Sequence, residues 1–167
     1  MDRIWIKYIT LFLTAVLVQV LLFNQVQFSG YLNPYFYVIF ILLLPVSFPR
    51  YAVLLLSFIL GFVIDVFSDT SGLHAASTVL LGALRTPVLT SLTARESDQS
   101  DYPGLRQTGI RWFLIYVSVL VLFHHFFLFY LEVLSFASFF RTLLRLLFST
   151  FFSVFIIVLS QFLVFRN

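Results

Sequence analysis

The chain has 167 residues, of which 61% are hydrophobic, 20% aromatic and only 10% charged, with a net charge of +3 and no cysteine. An ordinary soluble domain carries about 25% charged residues, and a domain of this size exposes too much surface to hide so many apolar side chains. The composition therefore excludes a soluble fold, and the lack of cysteine excludes disulfides and cysteine-ligated metal sites.

Six apolar runs follow one another and predict an all-α integral membrane protein, a six-transmembrane-helix bundle forming one domain over residues 1–167. The runs cover residues 4–23, 35–48, 51–67, 73–92, 112–134 and 141–165. No small-residue cleavage site follows the first run, so we expect an uncleaved signal anchor. The second run is short and contains Pro45. A helix this short could fit the bilayer in three ways: by tilting little, by thinning the bilayer locally, or by forming a tight hairpin with the third run.

Prolines and polar residues lie in the gaps between the apolar runs. Asn33 is expected to cap the second helix, with Pro34 in its first turn. Thr86-Pro87 suggests the start of a separate short helix along the membrane surface. The polar stretch 94–109 is expected to be a mobile loop, too short for a domain.

Lys and Arg are distributed unevenly over the predicted loops, which indicates the topology. With the N-terminus inside, the outer side holds only Arg141 and Arg145. The inner side then holds the other eight, namely Arg3, Lys7, Arg50, Arg85, Arg95, Arg106, Arg111 and Arg166. Both termini are therefore predicted to be cytoplasmic. These positive charges lie at the ends of apolar runs, as expected for a membrane protein. The net positive charge therefore does not indicate a nucleic-acid partner.

Asp65 lies near the end of an apolar run, where an ionised carboxylate requires a polar partner or a cavity. Asp69 shares its helix face if the helix continues, and His74 follows shortly after. Such groups bind divalent metals in some proteins, but we favour capping and turn closure, with no metal site predicted. Gly61, one turn before Asp65, is expected to let another helix approach closely.

The last run carries a polar stripe that is expected to face the bundle interior. Its members are Arg141, Arg145, Ser149 and Ser153. We predict that Asp65 and Glu132 neutralise Arg145, and that Arg141 belongs to the same cluster. Two interpretations stay open: an ion-pair lock that fixes helix packing, or the wall of an outward-facing polar cavity.

His124 and His125 are expected near the bilayer midplane, about twelve residues into the fifth run. Interhelical hydrogen bonding is the favoured interpretation, and proton relay or substrate contact is the alternative. Arg85, near the inner end of the fourth run, is expected to extend toward the inner headgroups.

Motifs typical of enzymes are missing from the sequence, which has no G-x-S-x-G, no P-loop and no H-E-x-x-H. We therefore predict no catalytic residue, no cofactor and no enzymatic activity.

The stretch Gly61-x-x-x-Asp65, a short outer loop and Gly72-x-His74-Ala-Ala resembles the signature of the MreD family of rod shape-determining proteins. The resemblance extends over essentially the whole chain. It includes Asn33-Pro34 and the ending Leu84-Arg85-Thr86-Pro87, and the run with His124-His125 is similar to one branch of the family. The motif residues that match are Gly61, Asp65, Gly72, His74 and Arg85.

The resemblance implies a non-enzymatic scaffold in the bacterial inner membrane, required for rod shape and lateral peptidoglycan synthesis. It implies direct association with MreC and, through the elongation machinery, with MreB, the transpeptidase PBP2 and the glycosyltransferase RodA. It also implies a helix arrangement like that of the S-components of energy-coupling-factor transporters. The alternative is an S-component-like protein that binds a small molecule or lipid in an outward cavity built from Asp65, His74, Glu132, Arg141 and Arg145.

Overall fold

A computed structural model describes residues 2–25, 33–93, 101–133 and 139–164. The described residues form seven α-helices and no strand. The helices are α1 (Asp2–Leu21), α2 (Ile39–Leu42), α3 (Arg50–Ser68), α4 (Leu73–Thr93), α5 (Leu105–Thr108), α6 (Ile110–Val133) and α7 (Phe139–Val164), and Phe23–Gln25 form a 3₁₀ turn. The side chains of Arg3, Arg95 and Arg166, on which part of the topology prediction rests, lie outside the described residues.

Five of these helices, α1, α3, α4, α6 and α7, are long and apolar enough to cross a membrane. They coincide with five of the six predicted runs. The described part of the chain is therefore an all-helical bundle, consistent with a multi-pass membrane protein.

The two ends of the bundle differ in charge. At one end the Lys7 ammonium lies 5.2 Å from the centre of the Tyr102 ring, and the N–H of Val46 donates to the Asp101 carbonyl at 2.9 Å. We call this the basic end because it carries Lys7, Arg50, Arg106 and Arg111. At the opposite end, Asn24 after α1 donates to Ser68 at the end of α3 over 3.1 Å. Helices α1 and α3 are therefore parallel, and residues 33–49 between them cross back to the basic end.

This returning stretch, residues 33–49, is the crossing segment, and it corrects the prediction of a second helix at 35–48. Only Ile39–Leu42 are α-helical, so a sixth spanning helix is not confirmed. Proline explains the interruption: Pro34, Pro45 and Pro49 donate no backbone hydrogen bond, and each disfavours helical geometry in the residue before it. Asn33 consequently precedes a stretch without regular secondary structure, and the residue at the N-cap of α2 is Val38 instead.

The crossing segment lies in the middle of the bundle. Every side chain from Tyr37 to Leu44 is at most 9% exposed, and together they form much of the hydrophobic core. Irregular backbone is tolerated at membrane depth where protein surrounds it. The core of this protein is thus built around its least regular crossing.

Helices α3 and α4 form a tight antiparallel hairpin, and Gly61 sets their spacing. A Cβ at Gly61 would lie 2.5 Å from the Cα of Ala75 and 2.6 Å from the carbonyl oxygen of His74. Real Cβ atoms do not approach backbone this closely, so only glycine fits. The expected close approach at Gly61 is confirmed.

The separate surface helix predicted from Thr86-Pro87 is wrong, because α4 runs through Pro87 to Thr93 without a break. Pro87 and Ala83, whose carbonyl loses its usual helical donor at Pro87, both lie on the exposed side of the helix. Hydroxyl groups in the next turn bond back to the proline region, where Ser91 donates to the Pro87 carbonyl at 2.8 Å. The helix tolerates the proline because the lost bond is not in the core.

Gly61→Ala is expected to lower the free energy of unfolding by about 2–3 kcal/mol, because the methyl group meets backbone that cannot rotate away. Reversible unfolding in detergent micelles measures this loss. Gly82→Ala is the matched control in the same hairpin, since its nearest obstacle is the Ser57 side chain rather than backbone. Equal losses in both variants would contradict a special role for the Gly61 contact.

Candidate functional site

Asp65 is bound by the start of the next helix, not by an arginine. Its Oδ1 accepts from the His74 N–H at 3.0 Å and from the Thr70 hydroxyl at 2.5 Å, and lies 3.1 Å from His74 Nδ1. Its Oδ2 accepts from the Ala75 N–H at 2.8 Å. The prediction that Asp65 neutralises Arg145 is therefore wrong. The carboxylate is 3% exposed, and four donors surround it.

The turn between α3 and α4 explains this geometry. Asp69 ends α3 in the left-handed region with φ of 53°, and Gly72 precedes α4 with φ of 86°. The chain thus reverses in a few residues and directs the free N–H groups of α4 at Asp65. A carboxylate at a helix N-terminus is favoured by the unpaired N–H groups and by the helix dipole. The capping interpretation fits this arrangement, although the capping residue is supplied by the preceding helix.

Arg85 also has a different environment from the one predicted. It is 1% exposed, and its Nη2 donates to the carbonyls of Leu44 and Pro45, the latter at 3.2 Å. The prediction that Arg85 extends to the headgroups is wrong. These carbonyls follow α2, where a helix end leaves acceptors unpaired, and the guanidinium satisfies them inside the protein.

Side chains from three further helices bind the backbone of the crossing segment. Gln19 of α1 accepts from the Phe36 N–H at 2.7 Å and donates to the Pro34 carbonyl at 3.2 Å. Tyr116 of α6 donates to the Leu42 carbonyl at 3.0 Å. Ser149 and Ser153 of α7 contribute in the same way, accepting from the N–H groups of Asn33 and Tyr35 at 3.1 and 2.8 Å. The polar stripe of the last run faces the interior at these two serines, as predicted.

The two adjacent histidines are fully buried. His124 Nε2 lies 2.9 Å from the Tyr37 hydroxyl. His125 Nδ1 donates to the Val121 carbonyl of its own helix at 2.8 Å, and its Nε2 lies 3.2 Å from Ser153 Oγ. The favoured interpretation, hydrogen bonding to neighbouring elements, is confirmed.

The predicted ion pair between Glu132 and Arg145 is confirmed, at the end of the bundle opposite the basic end. Arg145 Nη1 lies 2.8 Å from Glu132 Oε2, and the guanidinium lies 4.3 Å from the centre of the Phe129 ring. Glu132 is 41% exposed, so the pair contributes little to stability. Arg141 lies one turn earlier on α7 with an exposed side chain.

A polar cavity opens at the end of the bundle opposite the basic end. Its volume of about 350 Å³ is within the usual range for small-ligand sites. His74, Glu132 and Arg145 line it, whereas Asp65 and Arg141 do not. Its other polar lining residues are Gln19, Asn24, Gln25, Asn33, Tyr35, Ser68 and Thr70. Among the described residues, no three His, Asp or Glu side chains are grouped closely enough to hold a metal ion.

Several residues that bind the crossing segment or Asp65 are not predicted from the sequence. Gln19 lies within an apolar run, and the sequence assigns no specific role to Tyr37, Tyr116 or Thr70. Gln19 was detectable, because a lone amide inside an apolar span indicates a polar partner within the bundle. The tyrosines carried no such signal, since aromatic residues are frequent throughout this chain.

Comparison with known proteins adds no relative. No family model matches the chain, and no significant match exists among the curated proteins or the solved structures.

Asp65→Asn is expected to lower the free energy of unfolding by about 2 kcal/mol, because the amide NH₂ replaces an acceptor that faces N–H donors. Asp69→Asn is the matched control and is expected to change stability by less than about 0.5 kcal/mol, since asparagine tolerates the left-handed conformation. Chemical unfolding in micelles measures both. A loss for Asp65→Asn that vanishes in an Arg145→Met background would instead indicate pairing with that arginine.

Arg85→Met is expected to cost about 3 kcal/mol, because it leaves the buried Leu44 carbonyl without a donor and the Pro45 carbonyl with the Phe48 N–H alone. Arg85→Lys retains one charged donor and is expected to lose less. Arg50→Met, which removes an exposed charge from the same end, serves as the control with an expected change near zero. Wild-type stability in Arg85→Met would show that the crossing segment does not depend on the guanidinium.

Proposed function

We propose that the chain is a non-enzymatic membrane scaffold of the MreD type, acting in the bacterial inner membrane in cell elongation. Its activity would support rod shape and lateral peptidoglycan synthesis through direct association with MreC, and through MreC with MreB, PBP2 and RodA. The observation that carries the proposal is the use made of the five motif residues. All five hold helices or the crossing segment in place through contacts inside the protein. They are Gly61, Asp65, Gly72, His74 and Arg85.

Groups already committed to internal contacts are poorly suited to catalysis. Both oxygens of Asp65 accept hydrogen bonds from protein donors, and Arg85 Nη2 bonds two carbonyls. A catalytic acid, base or nucleophile needs a free lone pair or proton directed at a substrate. Residues that hold helices in place instead suit a protein whose task is to present a stable surface.

The outer faces of the bundle suit lateral association in a membrane. Large apolar side chains are exposed along α1, α3 and α7, for example Leu17, Phe62 and Phe155. Lipid is the default neighbour of such faces, and a single-span partner helix would pack there through shape complementarity. In this proposal the basic end faces the cytoplasm, following the positive-inside rule. The six crossings would be arranged like those of an S-component.

The polar cavity favours a second candidate, a binding protein for a small molecule or lipid headgroup. Arg145 and Glu132 supply opposite charges, and Asn24 and Asn33 supply amides at the same opening. These groups could orient a small polar ligand. In this candidate the cavity faces outward, away from the basic end.

Purification from native membranes in mild detergent tests the two candidates, with mass spectrometry of both proteins and small molecules. The scaffold proposal expects an MreC-like protein and wall-synthesis proteins, with no stoichiometric small molecule. It also expects Glu132→Gln to support rod shape in a depletion strain, because this conservative change removes a half-exposed charge and its ion pair with Arg145 but leaves the five motif residues unchanged.

A different pair of results would favour the binding protein. A small molecule that co-purifies at one copy per chain, without wall-synthesis proteins, would contradict the scaffold. Loss of both that molecule and cell shape in Glu132→Gln would assign the activity to the cavity. Normal expression of the variant, measured by immunoblot of membranes, is the control for folding.

A further inference from the structure

A second cavity lies at the basic end, between α1 and α7. It measures about 480 Å³, which is within the range of ligand sites. Phe36, Ile39 and Leu43 of the crossing segment form its floor. This apolar cleft is separate from the polar cavity, since the two share no charged residue.

The walls of the cleft are apolar or small along most of their depth. Helix α1 contributes Leu11, Thr14 and Ala15, and α7 contributes Ser160 beside Gln161. Such a lining offers few hydrogen bonds to a polar ligand and favours hydrocarbon, which gains by leaving contact with water or headgroups.

The mouth of the cleft is cationic. Lys7 and Arg106, both with exposed side chains, lie there beside Tyr102. The Tyr8 side chain, 8% exposed, also lines the cleft beside Tyr102. Two cations and a buried hydroxyl next to an apolar slot match the charge and polarity of a phosphate headgroup with its ester carbonyl.

We propose that this cleft binds an anionic glycerophospholipid, with its phosphate between Lys7 and Arg106 and one acyl chain against Ile39 and Leu43. Basic pockets between membrane helices are known to select anionic headgroups. A phospholipid carries both an anionic group for the cationic mouth and hydrocarbon for the apolar walls, whereas an apolar partner helix would bring no negative charge to Lys7 and Arg106. This proposal does not depend on the scaffold proposal.

Native mass spectrometry of the delipidated full chain tests the headgroup contact, with dioleoylphosphatidylglycerol and dioleoylphosphatidylcholine as probes. We expect one phosphatidylglycerol to bind at least tenfold more tightly than phosphatidylcholine. Lys7→Ala with Arg106→Ala is expected to weaken that binding roughly thirtyfold, because each cation near an anionic headgroup contributes about a factor of five. Arg50→Ala with Arg111→Ala is the matched control, removing two exposed cations of the same end that do not line the cleft.

A second pair of variants tests the acyl-chain slot. Thr14 is exposed and lines the cleft, so Thr14→Trp is expected to block the chain without disturbing the core. Leu13→Trp adds the same ring on the neighbouring exposed face and is expected to leave lipid binding unchanged.

Crosslinking in native membranes distinguishes lipid from protein as the occupant. The chain has no cysteine, so Thr14→Cys provides a single attachment point for a benzophenone probe. A phospholipid adduct is expected. A polypeptide adduct at this position would overturn the proposal, as would equal affinity for the two probe lipids or full binding in the Lys7→Ala, Arg106→Ala variant.

Discussion

A backbone that crosses a bilayer without a continuous helix needs a partner inside the protein for each polar group, because lipid offers none. The crossing segment meets this requirement with side chains from four helices. Gln19 comes from α1, Arg85 from α4, Tyr116 from α6 and Ser153 from α7. Each bond ties one helix to the segment, so the packing of these four helices depends on the same set of contacts. An unmade bond at this depth leaves a buried polar group unsatisfied, which costs more than the bond itself contributes.

The α3–α4 hairpin connects this centre to the opposite end of the bundle. Asp65 fixes the start of α4, and Gly61 fixes its distance from α3. Arg85 lies 11 residues beyond His74 on the same helix, or about 16 Å along its axis. The position of the guanidinium against Leu44 therefore depends on how α4 is anchored three turns away. Residues far apart in the bundle thus act as one support, since the helix start at Asp65 and the buried guanidinium of Arg85 both depend on the placement of α4.

The sequence was sufficient for features that depend on local composition. Apolar length predicted six spanning helices, five of which are present as long helices. Gly61 predicted a close contact, and the position of Glu132 and Arg145 at facing helix ends predicted their ion pair. Features that depend on contacts between residues far apart in the sequence could not be predicted from it. The Tyr35 N–H meets Ser153 from 118 residues away, and hydropathy carries no record of that pairing.

Arg85 and Asp65 illustrate the same limit. An arginine near a helix end is expected to reach the headgroups because hydration of its charge is strongly favourable. Here two carbonyls freed by the interruption near Pro45 bind it instead, and nothing in the flanking residues of α4 indicates that they exist. For Asp65, an arginine partner and a helix N-terminus both satisfy a buried carboxylate. The choice between them is made by a turn in which φ is positive at Asp69 and Gly72.

The irregular crossing also accounts for the two cavities. A regular helix with side chains is about 10–12 Å wide, whereas most of the crossing segment is not helical. Next to Asn33 and Tyr35, which precede α2, the surrounding helices leave the polar cavity. Where the short helix α2 presents Ile39 toward α1 and α7, they leave the apolar cleft. A continuous helix at 35–48 would fill more of both spaces. The same feature that demands internal hydrogen bonding therefore creates the concave surfaces on which binding is proposed.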